Sequence, residues 1–120
     1  MRPQAAAFAR EWQAAWNSHD LTRILAHYDD NIIFRSAKAL ALVGSGVVRG
    51  KDALGAYWAK ALDKQPDLKF AVLDVFAGHD MLVITYRNHR RVLAAETLRF
   101  GQDGLIVEAS ACHCALETPD

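Results

Sequence analysis

The chain has 120 residues, equal numbers of acidic and basic side chains, and a composition that is 52% apolar. We therefore expect a single domain over residues 1–120, large enough to bury a hydrophobic core without disulfides. There is no basic arm or acidic tail, which argues against nucleic acid and membrane surfaces as partners, and the apolar runs are too short to cross a bilayer.

The first predicted helix begins near Pro3 and continues to about Trp16 through an alanine-rich segment. Phe8, Trp12 and Trp16 recur at one-turn spacing, so they form a predicted buried stripe on one face of this helix. A secretory signal would show an apolar core here instead of this helical pattern, so none is expected.

A second, short helix is predicted after a corner at residues 17–20, where Ser18 and Asp20 are both suitable N-cap acceptors. Residues 29–31 end this segment, and the β-branched and aromatic residues 32–34 predict the first strand. The apolar positions of the short helix recur at one-turn spacing: Leu21, Ile24, Leu25 and Tyr28.

The next segment contains a turn, a short strand and a long helix. Residues 44–46, Gly-Ser-Gly, predict the turn, and residues 47–49 predict the strand, which Gly50 ends. The helix covers residues 51–65 and ends before Pro66, because the residue before a proline resists helical geometry. Its amphipathic face comprises Leu54, Tyr57, Trp58, Ala61 and Leu62.

The apolar period changes to two from residue 68 onward, which predicts strands. Four strands are expected, over residues 69–77, 81–88, 92–100 and 105–116. Turn residues separate them at 78–80, 89–91 and 101–104. Helices followed by an antiparallel meander are typical of an α+β fold, with the helices packed on one face of a curved sheet.

Glu96 is the first candidate for chemistry. In the third long strand it alternates with Ala94, Leu98 and Phe100, so it is predicted to face the helices from an apolar wall. A buried carboxyl group must pair, accept hydrogen bonds or stay protonated with a raised pKa, and such groups in apolar clefts are candidates for functional sites. The alternative is a position at the rim, paired with one of three arginines: Arg87, Arg90 or Arg91.

His113 is the second candidate. It shares a face of the last strand with Val107, Ala109 and Ala111, whose small alanines would leave volume in front of the sheet near its open end. If Glu96 lies within reach across the sheet, the two side chains could move protons in either direction near neutral pH. The alternative is a hydrogen-bonded packing histidine.

The remaining polar groups do not indicate a metal or a cofactor. Cys112 and Cys114 would point the same way on a strand but diverge, which suits neither a disulfide nor a chelate with His113. We interpret them as two buried thiols in a reducing cytoplasm, which predicts a cytoplasmic protein. No phosphate-binding glycine loop is present, and no metal spacing is found among the five histidines: His19, His27, His79, His89 and His113.

Three sequence motifs carry a resemblance to a known superfamily. They are W-N-S-H-D-L followed by Y-D-D, then G-K-D-A-L-G-A-Y-W, and the closing R-F-x-x-x-G-L-I. With these motifs the chain resembles the nuclear transport factor 2-like superfamily, which includes ketosteroid isomerase, limonene epoxide hydrolase and the SnoaL-like polyketide cyclases. The resemblance implies a cone-shaped α+β fold: a curved, mixed but mostly antiparallel sheet wrapped around N-terminal helices, a cystatin-like roll.

The resemblance carries only part of the ketosteroid isomerase site onto this sequence. The position of its oxyanion-hole tyrosine holds Trp12, that of its catalytic base holds Ser36, and that of its oxyanion-hole acid holds Glu96. Steroid isomerisation by that mechanism is not expected, because a serine without a partner base cannot take up the proton. Limonene epoxide hydrolase is still further away, since the position of its last-strand acid holds Ala111.

Two hypotheses use the predicted cavity. The first is a cofactor-independent isomerase-like or cyclase-like enzyme acting on a small apolar carbonyl compound, with Glu96 and His113 as acid and base. The alternative is a small-molecule binder without catalysis, which the missing base at Ser36 favours. The other predicted ligand-contacting residues, several of which are core residues in the alternative interpretation, are Trp12, Trp16, Tyr28, Tyr57, Trp58, Leu98 and Ala111.

A third hypothesis is an interaction module that uses the sheet. Leu82, Ile84 and Tyr86 are predicted to lie on the face opposite the cavity, where they are too apolar to remain exposed to solvent. A homodimer through the β-sheet face, common in the superfamily, would cover them and is expected under every hypothesis.

Overall fold

The computed structural model describes residues 4–116, which form four helices and one six-stranded sheet. The helices are α1 Ala5–Ser18, α2 Leu21–Leu25, α3 Ala37–Val43 and α4 Lys51–Lys64. The strands are β1 Tyr28–Ser36, β2 Val47–Arg49, β3 Ala71–Gly78, β4 Met81–Arg87, β5 Leu93–Phe100 and β6 Ile106–His113. Within residues 4–116, no helix is both long and apolar enough to cross a membrane.

The strand order across the sheet is β2-β1-β6-β5-β4-β3. Strands β1 and β6 pair in parallel, and every other neighbouring pair is antiparallel. The sheet is therefore mixed but mostly antiparallel, as predicted, and it does not close into a barrel. Helix α1 packs against β3 and α4 packs against β1, so the core lies between these helices and one face of the sheet.

The corner between the first two helices follows from its sequence. Helix α1 ends where His19 adopts a left-handed conformation, and Asp20 accepts a hydrogen bond from the backbone nitrogen of Arg23 at 3.3 Å. Asp20 is thus the N-cap of α2, whereas Ser18 Oγ accepts a hydrogen bond from the Asp20 nitrogen and supports the corner.

The prediction that Tyr28 belongs to the short helix was wrong. Strand β1 begins at Tyr28, which pairs with Ile106 of β6, and the Ile106 nitrogen donates to the His27 carbonyl at 2.9 Å. The parallel pairing with the last strand determines the conformation here and overrides the helical spacing of the apolar residues.

Helix α3 was not predicted. Ser36 caps it by accepting a hydrogen bond from the Lys38 nitrogen at 3.2 Å, and Gly44, at a φ of +83°, ends it in the left-handed conformation that glycine favours. The helix follows directly on β1 and contacts β1 and β2, and Lys38 lies in its first turn.

The prediction that Leu82, Ile84 and Tyr86 lie on the outer face was also wrong. All three are buried in the core, because Ile84 pairs directly with Glu96 of β5 and cross-strand partners point to the same face. The homodimer through the sheet loses the argument that these residues supplied, and it stays a prediction.

Asn17 links the end of α1 to the segment before β3. Its Nδ2 donates to the Phe70 carbonyl at 3.0 Å, and its Oδ1 accepts from the Phe70 nitrogen at 2.8 Å. We expect Asn17→Ala to lower the free energy of unfolding by about 1–3 kcal/mol, because it leaves two partly buried backbone groups unpaired. Urea unfolding measures this loss. Asn31→Ala, at an exposed position, is the control and should change stability by less than about 0.5 kcal/mol.

Candidate active site

A cavity lies between α4 and the inner face of the sheet, with an empty volume of about 560 Å³ including its open mouth. Six aromatic side chains line it: Trp16, Phe34, Tyr57, Trp58, Phe70 and Tyr86. Seven other polar or charged side chains reach it: Ser36, Lys38, Gln65, Asn88, His89, Glu96 and His113.

The aromatic wall is held by ring-to-ring contacts. Trp58 contacts Trp16 edge-to-face at a centroid distance of 4.8 Å and Phe34 in the same manner at 5.4 Å. On the other side, the Phe70 and Tyr86 ring centroids lie 4.5 Å apart. Such mutual packing fixes the rings, so the wall presents a preformed apolar surface to a ligand.

Glu96 lies in the middle of β5 with 7% of its surface exposed, and its side chain reaches the cavity as the strand alternation predicts. Tyr86 Oη donates a hydrogen bond to Glu96 Oε1 at 3.0 Å. Burial raises the pKa of Glu96 to about 8, and the hydrogen bond from Tyr86 lowers it only in part. The carboxyl group is therefore mostly neutral at pH 7.

The neutral state gives Glu96 a specific chemical capacity. With Oε1 accepting from Tyr86, the proton resides on Oε2, which can donate to a ligand oxygen in the cavity. The alternative prediction, that Glu96 pairs with Arg87, Arg90 or Arg91, is wrong. Its hydrogen-bond partner is a tyrosine of the neighbouring strand.

Three buried tyrosines surround this carboxyl group. Burial is the largest cause of a raised pKa at Tyr28, Tyr57 and Tyr86, and the negative charge of ionised Glu96 raises each pKa further. At Tyr57 a hydrogen bond with Ser36 opposes this rise. All three phenols are neutral at physiological pH, so the site contains hydrogen-bond donors and no phenolate.

His113 lines the cavity near its mouth and is half-buried. Glu96 pairs with Ala111, while His113 pairs with Ala94, so the two side chains are diagonal neighbours on the inner face. Burial lowers the pKa of His113, and the positive charge of Lys38 lowers it further. The imidazole is therefore neutral at pH 7 and has a lone pair that can accept a proton.

The other predicted ligand-contacting residues divide into two groups. Trp16, Ser36, Tyr57, Trp58 and Ala111 line the cavity. Ser36 also caps α3, so its hydroxyl oxygen already accepts a backbone hydrogen bond. Three others do not line the cavity, because they are buried in the core with at most 1% of their surface exposed: Trp12, Tyr28 and Leu98.

Sequence reasoning missed the residues that the loops bring to the mouth, above all Asn88 and His89. Asn88 Oδ1 accepts from the backbone nitrogens of Arg90 at 2.9 Å and Val92 at 3.0 Å, which folds the β4–β5 loop so that His89 turns inward. The turn-forming preference of Asn88 was the available signal, but it does not reveal which neighbour faces inward.

Metal-ligating groups are dispersed. Residues 4–116 contain no group of three or more histidine, cysteine, aspartate or glutamate side chains that could hold a metal ion. Cys112 and Cys114 are both free thiols, and the prediction that they are buried is wrong, because Cys112 is exposed and Cys114 is only partly buried.

Comparison with known proteins identifies the family. Residues 9–109 match the SnoaL-like domain. A SnoaL-like protein of unknown function from Burkholderia thailandensis has 43% sequence identity and a TM-score of 0.88, covering 92% of this chain and 95% of its own. Comparison with curated proteins gives no significant match.

Two more distant structures share the fold. A candidate isomerase of the SnoaL-like family from Agrobacterium tumefaciens has 14% identity and a TM-score of 0.74, with 92% of this chain and 97% of its own covered. A candidate ketosteroid isomerase from Kribbella flavida has 14% identity and a TM-score of 0.73, with coverages of 95% and 80%. The chain therefore belongs to the SnoaL-like domain family.

Proposed function

We propose that the protein is a cofactor-independent enzyme that moves a proton next to the carbonyl group of a small apolar compound. The observation that carries this proposal is Glu96, a neutral carboxylic acid hydrogen-bonded by Tyr86 inside an aromatic cavity. An acid in this state can donate to a carbonyl oxygen and stabilise the negative charge that develops there during proton abstraction.

His113 is the proposed base of the reaction. The neutral imidazole removes the proton from the carbon next to the carbonyl group, and the C–H electron pair forms the carbon–carbon double bond of an enol. The carbonyl oxygen takes up the displaced electron pair and the hydrogen bond, or the proton, of Glu96. Return of a proton to the same carbon gives exchange, and where the enol is conjugated with a second double bond, return to the far carbon of that bond gives isomerisation.

The arrangement of the two groups suits this chemistry. Diagonal neighbours on adjacent antiparallel strands lie about 7–8 Å apart at their backbones, which leaves room for a carbonyl oxygen at one group and its α-carbon at the other. The aromatic wall would hold the ligand and keep water from the developing charge. This pairing replaces the base that Ser36 cannot supply, since its hydroxyl oxygen caps α3.

The proposal is tested by the α-proton exchange of 2-tetralone in D₂O, followed by ¹H NMR across pH. We expect the protein to accelerate exchange with a bell-shaped profile. The rate should rise as His113 loses its proton, at a pKa below its ordinary value of 6.5. It should fall as Glu96 ionises, at a pKa of about 8. His113→Gln should remove the rising limb. Saturable binding of 2-tetralone without faster exchange would instead support the non-catalytic binder.

A further inference from the structure

His89 is a buried polar group that the proposed reaction does not use. Its side chain lines the cavity and is only 10% exposed, and neither Nδ1 nor Nε2 has a hydrogen-bond partner among residues 4–116. The nearest carboxylate is Asp67, whose Oδ1 lies 3.6 Å from Nε2, beyond hydrogen-bond length, and whose side chain is 79% exposed. Leaving such a ring unpaired is unfavourable, and a polar ligand group would relieve this.

Two further polar side chains reach the cavity with His89: Asn88 from the same loop, and Lys38 from helix α3. Within the described part of the chain, Lys38 has no carboxylate at ion-pairing distance, and its charge acts on His113 across the mouth. Asn88 uses its Oδ1 for the loop, so its Nδ2 can donate to a ligand. The mouth therefore offers an ammonium group, an amide N–H and an imidazole N–H.

The charge of the cavity has one sign. Glu96 is the only acidic side chain among the described lining residues, and it is mostly neutral at pH 7. The two histidines and Lys38 are neutral or positive. A ligand that brings negative charge to the mouth would meet donors without hydrogen-bond partners and no ionised carboxylate among the lining residues, since the exposed Asp67, 3.6 Å from His89 Nε2, lies outside the lining.

We propose that Lys38, Asn88 and His89 form a carboxylate-binding subsite at the mouth of the cavity, and that the ligand is an apolar organic acid. This inference rests on the proposed function for the position of the carbonyl group, which lies deeper, at Glu96. The substrate class is then an oxo acid whose apolar body contacts the aromatic wall and whose carboxylate remains at the mouth.

Isothermal titration with 3-phenylpropionate and its neutral analogue 3-phenylpropanamide tests the subsite. We expect the wild-type protein to bind the carboxylate at least about tenfold more tightly than the amide, because charge-assisted hydrogen bonds are the stronger ones. Lys38→Met and His89→Leu should each remove most of this difference and leave the affinity for the amide nearly unchanged. Lys60→Met, at an exposed position of α4, is the matched control and should alter neither affinity.

Equal affinities for the two probes, binding of neither probe, or a preference that survives both Lys38→Met and His89→Leu would overturn the subsite. The exchange of 2-tetralone is measured on the wild-type protein, and this probe has no carboxylate that would need the subsite. Exchange without a carboxylate preference therefore contradicts the subsite alone, and a carboxylate preference without exchange contradicts the proposed enzyme alone.

Discussion

Glu96→Leu is expected to lower the rate of 2-tetralone exchange by about 10²–10³-fold, the usual loss when one donor to a developing oxyanion is removed. Leucine fills the buried position but cannot donate to the ligand oxygen. Glu96→Gln should give an intermediate rate, because its amide still donates a hydrogen bond but is a much weaker acid. ¹H NMR at a fixed pH near 7 measures the exchange rate with the wild-type protein, Glu96→Leu and Glu96→Gln.

Glu108→Gln is the matched control for this comparison. Glu108 lies on the outer face of β6, where Arg99 Nε donates to its Oε1 at 2.8 Å. The Glu108→Gln substitution should leave the exchange rate unchanged within about twofold, because Glu108 does not line the cavity. It should also leave the fold intact, since surface ion pairs contribute little to stability. Circular dichroism verifies that each variant folds. A folded Glu96→Leu protein with the wild-type rate would show that Glu96 has no part in the reaction.

The second large effect concerns stability and pH. Burial raises the pKa of Glu96 from 4.5 to about 8, so between these values the folded protein keeps a proton that the unfolded chain releases. The folded state then binds more protons, and its stability must fall as pH rises through this window. The full difference between the two pKa values corresponds to a stabilisation of the folded state on the order of 5 kcal/mol. This stabilisation is fully present below the unfolded pKa and is lost as the pH rises past the folded pKa.

Urea unfolding of the wild-type protein and Glu96→Gln between about pH 5 and pH 8 measures this effect. We expect the variant to gain stability relative to the wild type with each step toward higher pH, because glutamine does not ionise. The lowered pKa of His113 acts in the opposite direction in both proteins, so their difference isolates Glu96. Parallel stability curves would mean that Glu96 ionises in the folded protein as readily as in water.

The elements that follow from local patterns could be predicted from the sequence. Helix α4 has an amphipathic face, a glycine before it and a proline after it, and β5 alternates cleanly enough to turn Glu96 inward. These patterns depend on residues close in the chain, so the long helices, the meander and the burial of Glu96 all appear in the structure as expected.

The features that depend on distant residues could not be predicted. The strand conformation of Tyr28 requires pairing with Ile106, and the inward direction of Ile84 requires its pairing with Glu96. Period-two patterns show that side chains alternate but not which set faces the helices when both sets are partly apolar. Likewise, the inward turn of His89 depends on loop hydrogen bonds that its own sequence position does not reveal.

The place of β6 in the sheet has a consequence for how the protein is made. This last strand lies between β1 and β5, so it alone joins the β1–β2 pair to the β3–β4–β5 meander. During synthesis both of these parts of the sheet emerge before β6, so the pairing of residue 28 with residue 106 has to wait until β6 has been made. His113 lies on that strand and Ala111 pairs with Glu96 from it, so this wall of the cavity cannot form before β6 has emerged.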